Sequence, residues 1–125
     1  MIGALLEHPR TKVRLQAYRT SRAVFDRETH LGQVSVLLHD PQPDVRRMAI
    51  RAVCHARWTS AIPVVTGLLE HPHPVVRTAA ADGLTLWGTP AVPALRHALD
   101  HARPDRRSVY QDVLDRITGQ DVTPG

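Results

Sequence analysis

Apolar residues recur at helical spacing in the stretch that begins at Val45. This apolar face consists of Val45, Met48, Ala49, Ala52, Val53 and Ala56. Such spacing places the residues on one side of an α-helix. The face returns in Val76, Ala79, Ala80, Gly83, Leu84 and Trp87, and again in Val109, Tyr110, Val113, Leu114 and Ile117. No Asn-Gly or Asp-Gly turn lies between alternating segments, so the pattern predicts an all-α chain.

A ten-residue stretch repeats along the chain with the same period. Its copies read LLEHPRTKVR from Leu5, LLHDPQPDVR from Leu37, LLEHPHPVVR from Leu68 and ALDHARPDRR from Ala98. A second landmark, AIPVV at Ala61, returns as AVPAL at Ala91. Two independent landmarks at one spacing indicate an internal repeat of about thirty residues.

Each copy of the repeat predicts two helices joined by a turn. Proline opens the second helix in three copies, at Pro43, Pro74 and Pro104, where its missing N–H costs no hydrogen bond. Gly88 and Gly119 stand where helices are expected to end, and Thr89 is expected to cap the next helix. We therefore expect a single domain over residues 1–125, with units at about 1–25, 29–58, 60–87 and 89–119 and a frayed tail at 120–125.

The chain has eight histidines, and His71 and His73 alternate with Pro72 and Pro74 in a spacing that could suggest a metal site. The repeat favours a turn instead. The positions equivalent to His71 hold His8, Asp40 and His101, and those equivalent to His73 hold Arg10, Gln42 and Arg103. Because the sister units accept such different side chains, we predict no metal and no cofactor, with a weak cation site along the turns as the alternative.

The recurring pattern L-L-x-[DH]-P-x-P-x-V-R-x-x-A-x-x-A resembles the HEAT repeat, in the short bacterial form known from phycocyanobilin lyases. The resemblance spans Met1 to about Gly119 and implies a right-handed α-solenoid of about four helical hairpins, with the second helices on the concave side. In that family the Asp before the Pro and the Arg after the Val bond within and between repeats. The resemblance thus implies a structural ladder of Arg14, Arg46, Arg77, Arg107 and Asp40. His8, His71 and His101 depart from the family's carboxylate.

The two ends of the repeat array differ. The opening helix is cut to Met1–Glu7, and Thr20 and Ser21 interrupt the apolar face that follows. The N-terminal face is therefore expected to need a partner or a second copy of the chain, unless the chain is a piece of a longer repeat protein. Asp112, Asp115 and Arg116 give the last helix the polar side of a terminal cap.

Composition favours a cytoplasmic protein. No apolar run approaches the roughly 20 residues that cross a bilayer, and the start MIGALLEHPR has no signal core. The lone Cys54 fits a reducing compartment. It lies beside the apolar face, which favours a packed side chain over attachment of a bilin or another prosthetic group. Trp87 is expected in the core and Trp58 nearer the surface.

Two functions compete. The first is a non-catalytic scaffold that binds a protein or peptide through the concave face of its second helices, because HEAT folds mainly serve in this way. The candidate partner-binding residues lie off the core face of the second helices: Arg19, Arg22, Arg47, Arg51, Trp58, Asp82, Asp112 and Asp115. The alternative is weak nucleic-acid binding, as in the related DNA-alkylation-repeat proteins, because the net charge is +4 and the pI is about 10.2. That charge is uneven, at +5 over residues 1–62 and −1 over residues 63–125.

Overall fold

The computed structural model describes residues 9–24 and 26–121, and every regular element within them is helical. The α-helices of these residues are α1 (Thr11–Val24), α2 (Arg27–Val34), α3 (Pro43–His55), α4 (Ile62–Gly67), α5 (Pro74–Trp87), α6 (Val92–His101) and α7 (Arg107–Asp121). Short 3-10 turns lie at Ser35–His39, Thr59–Ala61, Leu68–Glu70, Thr89–Ala91 and Pro104–Arg106. The predicted all-α class is confirmed. The expected opening helix, Met1–Glu7, and the chain after Asp121 lie outside the described residues.

Helices pack both within pairs and from one pair to the next. The paired helices are α2 with α3, α4 with α5 and α6 with α7. Helix α3 also packs along α5, α5 packs along α7, and α4 packs on α6. Each pair therefore covers the apolar face of its neighbour, which is the architecture of an α-solenoid and agrees with the repeat pattern.

The core follows the apolar faces predicted from the sequence. On α3, Val45, Ala49 and Val53 are buried, and Val76 and Leu84 occupy matching positions on α5. Trp87, which ends α5, is 2% exposed and lies in this core as predicted. Trp58 is half-buried and packs against its edge.

Gly83 sets how closely α5 approaches α3. A Cβ atom placed on Gly83 would overlap Sγ of Cys54 and would lie 3.2 Å from Cγ2 of Ile50. Cys54 and Ile50 are both buried on α3, so at least one packed side chain would have to shift to admit that atom. A residue with no side chain is therefore required where these two helices meet.

The helix starts and ends agree only in part with expectation. Pro43 and Pro74 begin α3 and α5 as predicted, while Pro104 begins a 3-10 turn that leads into α7. The predicted Thr89 cap is wrong, because residues 89–91 wind into a 3-10 turn and α6 begins only at Val92, without a side-chain cap. The predicted stop at Gly119 is also wrong, since α7 continues through Asp121.

Equivalent positions close α3 and α5 with a left-handed residue. Gly88 follows α5 at φ 72° and ψ −133°, a conformation that favours glycine. Arg57 holds the matching position after α3 with φ 53°. Its amide donates to the Cys54 carbonyl at 3.0 Å, and the amide of Trp58 donates to the Val53 carbonyl at 2.9 Å. The helix thus ends in the usual pattern of a left-handed C-terminal cap.

No helix among residues 9–24 and 26–121 combines the length and apolar character needed to span a membrane.

Candidate functional site

A buried ion pair joins the first described helix to the next turn. Arg14 on α1 donates through Nη2 to Oδ1 of Asp40 at 3.0 Å, and its Nε contacts the other carboxylate oxygen. Both residues are 4% exposed. Oδ1 of Asp40 also accepts the backbone N–H of Gln42 at 2.9 Å. The Asp40 carboxylate therefore stabilises its own turn and also connects that turn to α1 of the preceding unit.

The other arginines of the proposed ladder bind carbonyl oxygens of their own units. These hydrogen bonds run from Arg46 to Leu38 O (2.9 Å), from Arg77 to His71 O (2.9 Å) and Pro72 O (2.7 Å), and from Arg107 to Leu99 O (3.3 Å). Carbonyl groups at the end of a helix have no partner within it. Each guanidinium therefore donates to carbonyl oxygens at the end of the preceding helix or in the turn that follows it. The same kind of contact recurs in successive units.

His71 occupies the turn position that Asp40 occupies one unit earlier. Its Nδ1 accepts the backbone N–H of His73 at 3.0 Å, so it reproduces the turn contact of Asp40. It cannot supply the negative charge. Burial and then the charges of Arg46, His73 and Arg77 lower the pKa of His71 below its ordinary value, which favours the neutral ring. The turn before α5 thus keeps its shape but has no carboxylate at this position.

The histidine-rich turn is held by backbone contacts. Nδ1 of His73 accepts the N–H of Val75 at 3.2 Å, which caps the start of α5. With Nδ1 of both rings engaged, the two side chains serve the turn geometry that the repeat alignment predicted. No three His, Cys, Asp or Glu side chains within residues 9–24 and 26–121 gather in a way that could hold a metal ion.

Two further side-chain contacts connect α7 to the preceding unit. Arg116 on α7 pairs with Asp82 on α5 at 3.1 Å, between Nη2 and Oδ1. The hydroxyl of Tyr110 donates to Glu70 near the end of the preceding first helix. Burial and then this carboxylate raise the pKa of Tyr110, so the hydroxyl stays protonated and remains a donor.

Two clefts lie on either side of α3. The α3–α5 cleft has a volume of about 600 Å³, and the α1–α3 cleft has a volume of about 650 Å³. Arg47, Arg51 and His55 line both clefts. These residues are spaced by four along α3 and lie one above the next on the helix surface. We call this row the α3 ridge.

The α3–α5 cleft has an apolar floor and a polar rim. Cys54, Ala79 and Gly83 form the floor, while Asp82 and Leu86 stand on α5 at the other side from the α3 ridge. Leu86 is 42% exposed, the one exposed large hydrophobic side chain among residues 9–20 and 26–119. Burial raises the pKa of Cys54 to about 12, so the thiol is protonated at neutral pH and is a weak nucleophile.

The α1–α3 cleft is more mixed in character. The rings of Tyr18 on α1 and His30 on α2 lie with centroids 5.4 Å apart, and both line the cleft. Leu31 and Met48 add apolar surface, and Arg27 adds a further cation. The cleft therefore offers aromatic and aliphatic contacts beside a positively charged wall.

The side chains of the α3 ridge differ in how they are engaged. Arg47 lies 3.8 Å from Asp44, and both side chains are more than half exposed, at 51% and 84%. The side chains of Arg51 and His55 make no hydrogen bond or ion pair with the described residues, and both are exposed. Arg51 thus presents an unpaired guanidinium between two clefts.

The structure brings together only some of the predicted partner-binding residues. Arg47, Arg51 and Asp82 line the α3–α5 cleft. The others line neither cleft: exposed Arg19 on α1, half-buried Trp58, and exposed Asp112 and Asp115 on α7. Asp115 instead accepts a hydrogen bond from Gln111 at 2.9 Å. The side chain of Arg22 lies outside the described residues.

Sequence reasoning missed two further arginines that bind carbonyl groups at the ends of second helices. Arg27 donates to the carbonyl of Ala56, and Arg57 donates to the carbonyl of Leu86 at 3.3 Å. Each arginine follows the second helix of one unit and donates to a carbonyl oxygen near the end of the second helix of the next unit. Their separation by one repeat period was the signal that could have found them. His55 and Leu86 were also missed, because neither stands out in the repeat pattern.

A stack of paired helices with arginines repeated at the turns defines an α-solenoid repeat protein. A family model described as HEAT repeats matches residues 32–115, and the chain belongs to that family. The chain is also 31% identical over 83 residues to methylthioribulose-1-phosphate dehydratase of Serratia proteamaculans (strain 568). That alignment covers 66% of this chain and 35% of the relative, so the chain spans about a third of the length of that protein.

Proposed function

We propose that this protein is a non-catalytic scaffold that binds a protein or peptide partner through the exposed face of its second helices. HEAT repeats commonly mediate protein interactions, and the chain belongs to that family. The observation that carries the proposal is the α3 ridge between two clefts of about 600 and 650 Å³. Binding sites are typically concave, largely apolar and furnished with a few polar groups.

The proposed contact residues form an inner and an outer set. Arg47 and Arg51 are the inner set, because they line both clefts, and arginine is frequent among residues that dominate binding energy. Asp82 lines one cleft and is held by Arg116, so a partner would meet a positioned ion pair there. The outer set would extend a larger interface along the same face and comprises Arg19, Arg22, Trp58, Asp112 and Asp115.

Non-catalytic function is supported by the state of the reactive side chains in the clefts. The Cys54 thiol is buried and protonated, and Asp82 is engaged by Arg116. His55 has no hydrogen-bond partner among the described residues, so no base is positioned against a nucleophile. The dehydratase activity named for the Serratia protein belongs to a chain of which this one matches about a third.

Site-specific cross-linking tests the scaffold proposal. A photoreactive amino acid at position 51 should cross-link to a partner in cells of the source organism, because Arg51 lies between the clefts. The same group at Arg96, exposed on α6 and outside both clefts, is the matched control. Cross-links from position 96 alone, or equal yields from both positions, would contradict a binding face on the second helices.

Weak nucleic-acid binding is the second candidate, because Arg27, Arg47 and Arg51 line one cleft. The uneven charge of the chain argues against a phosphate backbone that runs along all the units. If DNA binds, its affinity should fall steeply with added salt, and combined Arg47→Glu and Arg51→Glu substitutions should abolish it. Binding that is insensitive to salt would exclude this candidate.

A further inference from the structure

We infer that the α3 ridge recognises an acidic peptide whose apolar side chains enter the clefts on either side. This inference rests on the proposed scaffold function and names the chemistry of its partner. It combines an unpaired cation, two clefts with apolar surface that share that cation, and carboxylates close to the arginines. Each observation restricts the ligand in a different way.

The α3 ridge supplies the positive charge. Arg51 is exposed and has no partner among the described residues, and Arg47 has only the loose contact of 3.8 Å with Asp44. An exposed pair of this kind contributes little, so a ligand carboxylate can displace it at low cost. A guanidinium binds a carboxylate through two parallel hydrogen bonds. Two such groups one helical turn apart therefore match one or two adjacent acidic side chains.

The clefts supply the apolar contacts. Ala79 adds a small apolar side chain to the lining of the α3–α5 cleft, and Leu86 adds the apolar surface of an exposed leucine on α5. On the other side of α3, Leu31 and Met48 offer aliphatic surface in the α1–α3 cleft. An apolar ligand side chain in either cleft would remove this surface from water.

The spacing of the clefts determines the spacing of the ligand side chains. Packed helices lie about 8–10 Å apart, so grooves on the two sides of one helix are separated by a similar distance. A peptide in the polyproline II conformation advances about 3.1 Å per residue and returns its side chains to the same face at every third residue. The geometry therefore fits two apolar residues about three positions apart, with acidic residues between them.

Nearby carboxylates favour a peptide over a nucleic acid. Asp82 lines the α3–α5 cleft from α5, and Asp44 lies on α3 itself, 3.8 Å from Arg47. A phosphate backbone that ran along the α3 ridge and into the cleft would bring negative charge close to both carboxylates. A peptide with acidic residues only at its centre avoids this repulsion, since its flanking groups are neutral.

The probe is a fluorescent ten-residue peptide with the core Leu-Glu-Glu-Leu between Gly and Ser residues, and its matched control replaces both glutamates with glutamine. Binding to the full chain is measured by fluorescence anisotropy. We expect the glutamine peptide to bind about tenfold or more weakly, because charge-assisted hydrogen bonds are lost. Peptides with the leucines two or four positions apart should also bind more weakly.

Variants of the protein assign the contacts. Arg51→Glu should weaken binding of the glutamate peptide about tenfold or more, while Arg96→Glu, with the same change in net charge outside the clefts, should leave it unchanged. Leu86→Ser should weaken the glutamate and glutamine peptides by the same factor, since it removes only apolar contact. Circular dichroism and the thermal midpoint establish that each variant is folded.

Four outcomes would overturn the inference. Three of them are equal affinity for the glutamate and glutamine peptides, equal losses in Arg51→Glu and Arg96→Glu, and no binding by any peptide of the panel. A DNA duplex that binds at the ridge without displacement by the peptide would also overturn it, by assigning the cations to phosphate. The scaffold proposal fails separately, through absence of cross-links from position 51.

Discussion

Arg14 and Asp40 form a buried ion pair across 26 residues of sequence and thereby lock α1 onto the turn that precedes α3. The same carboxylate holds the N–H of Gln42. A contact that is buried, bidentate and shared in this way differs from the exposed pairs elsewhere in the described residues. It yields the first prediction.

Asp40→Asn should destabilise the protein by about 3–5 kcal/mol. The amide can still accept from Gln42, but the buried guanidinium of Arg14 loses its compensating charge. Asp44→Asn is the matched control, because it removes the exposed 3.8 Å contact with Arg47 and should cost less than about 1 kcal/mol. Urea unfolding followed by circular dichroism measures both. Equal losses in the two variants would show that Asp40 has no special role.

His71→Asp should stabilise the protein by about 1 kcal/mol. The new carboxylate would keep the turn contact with the His73 amide and add attraction to Arg46 and Arg77, whose charges now act on the ring. The gain is modest because the position is partly exposed. A double-mutant cycle with Arg46→Gln isolates the pair. Full retention of the gain in the Arg46→Gln background would refute the assigned contact.

Stability should fall on mild acidification through His71. The folded state lowers the pKa of this ring below 6.5, so the unfolded chain binds the proton more readily. The contribution of neutral His71 is therefore fully present above about pH 6.5 and is lost as the pH falls through the lower, folded-state pKa. Unfolding free energies measured between about pH 7 and 5 should decline less in His71→Asn, which retains an acceptor but does not titrate. If the unfolding free energies of the parent protein and of His71→Asn declined equally with pH, the assignment of this pH dependence to His71 would be wrong.

Gly83→Ala should cost about 1–3 kcal/mol, because the added methyl overlaps Sγ of Cys54 in a packed interface. Gly67→Ala is the matched control, since a Cβ there meets nothing within 4 Å and alanine favours the helix. In thermal unfolding, the midpoint of Gly83→Ala should lie below that of the parent protein, and the midpoint of Gly67→Ala should lie above it. Adding Cys54→Ala should recover part of the loss in Gly83→Ala. Absence of any recovery would assign the cost to another contact.

Much of the fold could be predicted from the sequence because the repeat places the same side chains in the same surroundings. The apolar face from Val45 to Ala56 predicted α3, and its return from Val76 to Trp87 predicted α5 and the buried indole. Helix ends were harder to predict. Thr89 has the chemistry of a cap, but Gly88 directs residues 89–91 into a 3-10 turn, and Gly119 stays within a continuous helix.

The candidate site was less accessible from sequence. Arg47 and Arg51 could be placed on α3 by helical spacing. The two clefts that they line depend on how α1, α3 and α5 pack, which the sequence pattern does not give. The exposure of Leu86 depends on the same packing. The turn role of His71 could be predicted from its alignment with Asp40. Its lowered pKa required the positions of Arg46 and Arg77 in three dimensions.

The bare Cα of Gly83 has a consequence for the shape of the whole array. In a solenoid, curvature accumulates from the small rotation of each repeat on the one before it. Where α5 rests on α3, that rotation is set by the contact between Gly83 and Cys54. A larger residue at position 83 would increase the distance between α3 and α5 and would change the orientation of every later repeat. The arc that the protein presents to a partner is thus set in part by the absence of one methyl group.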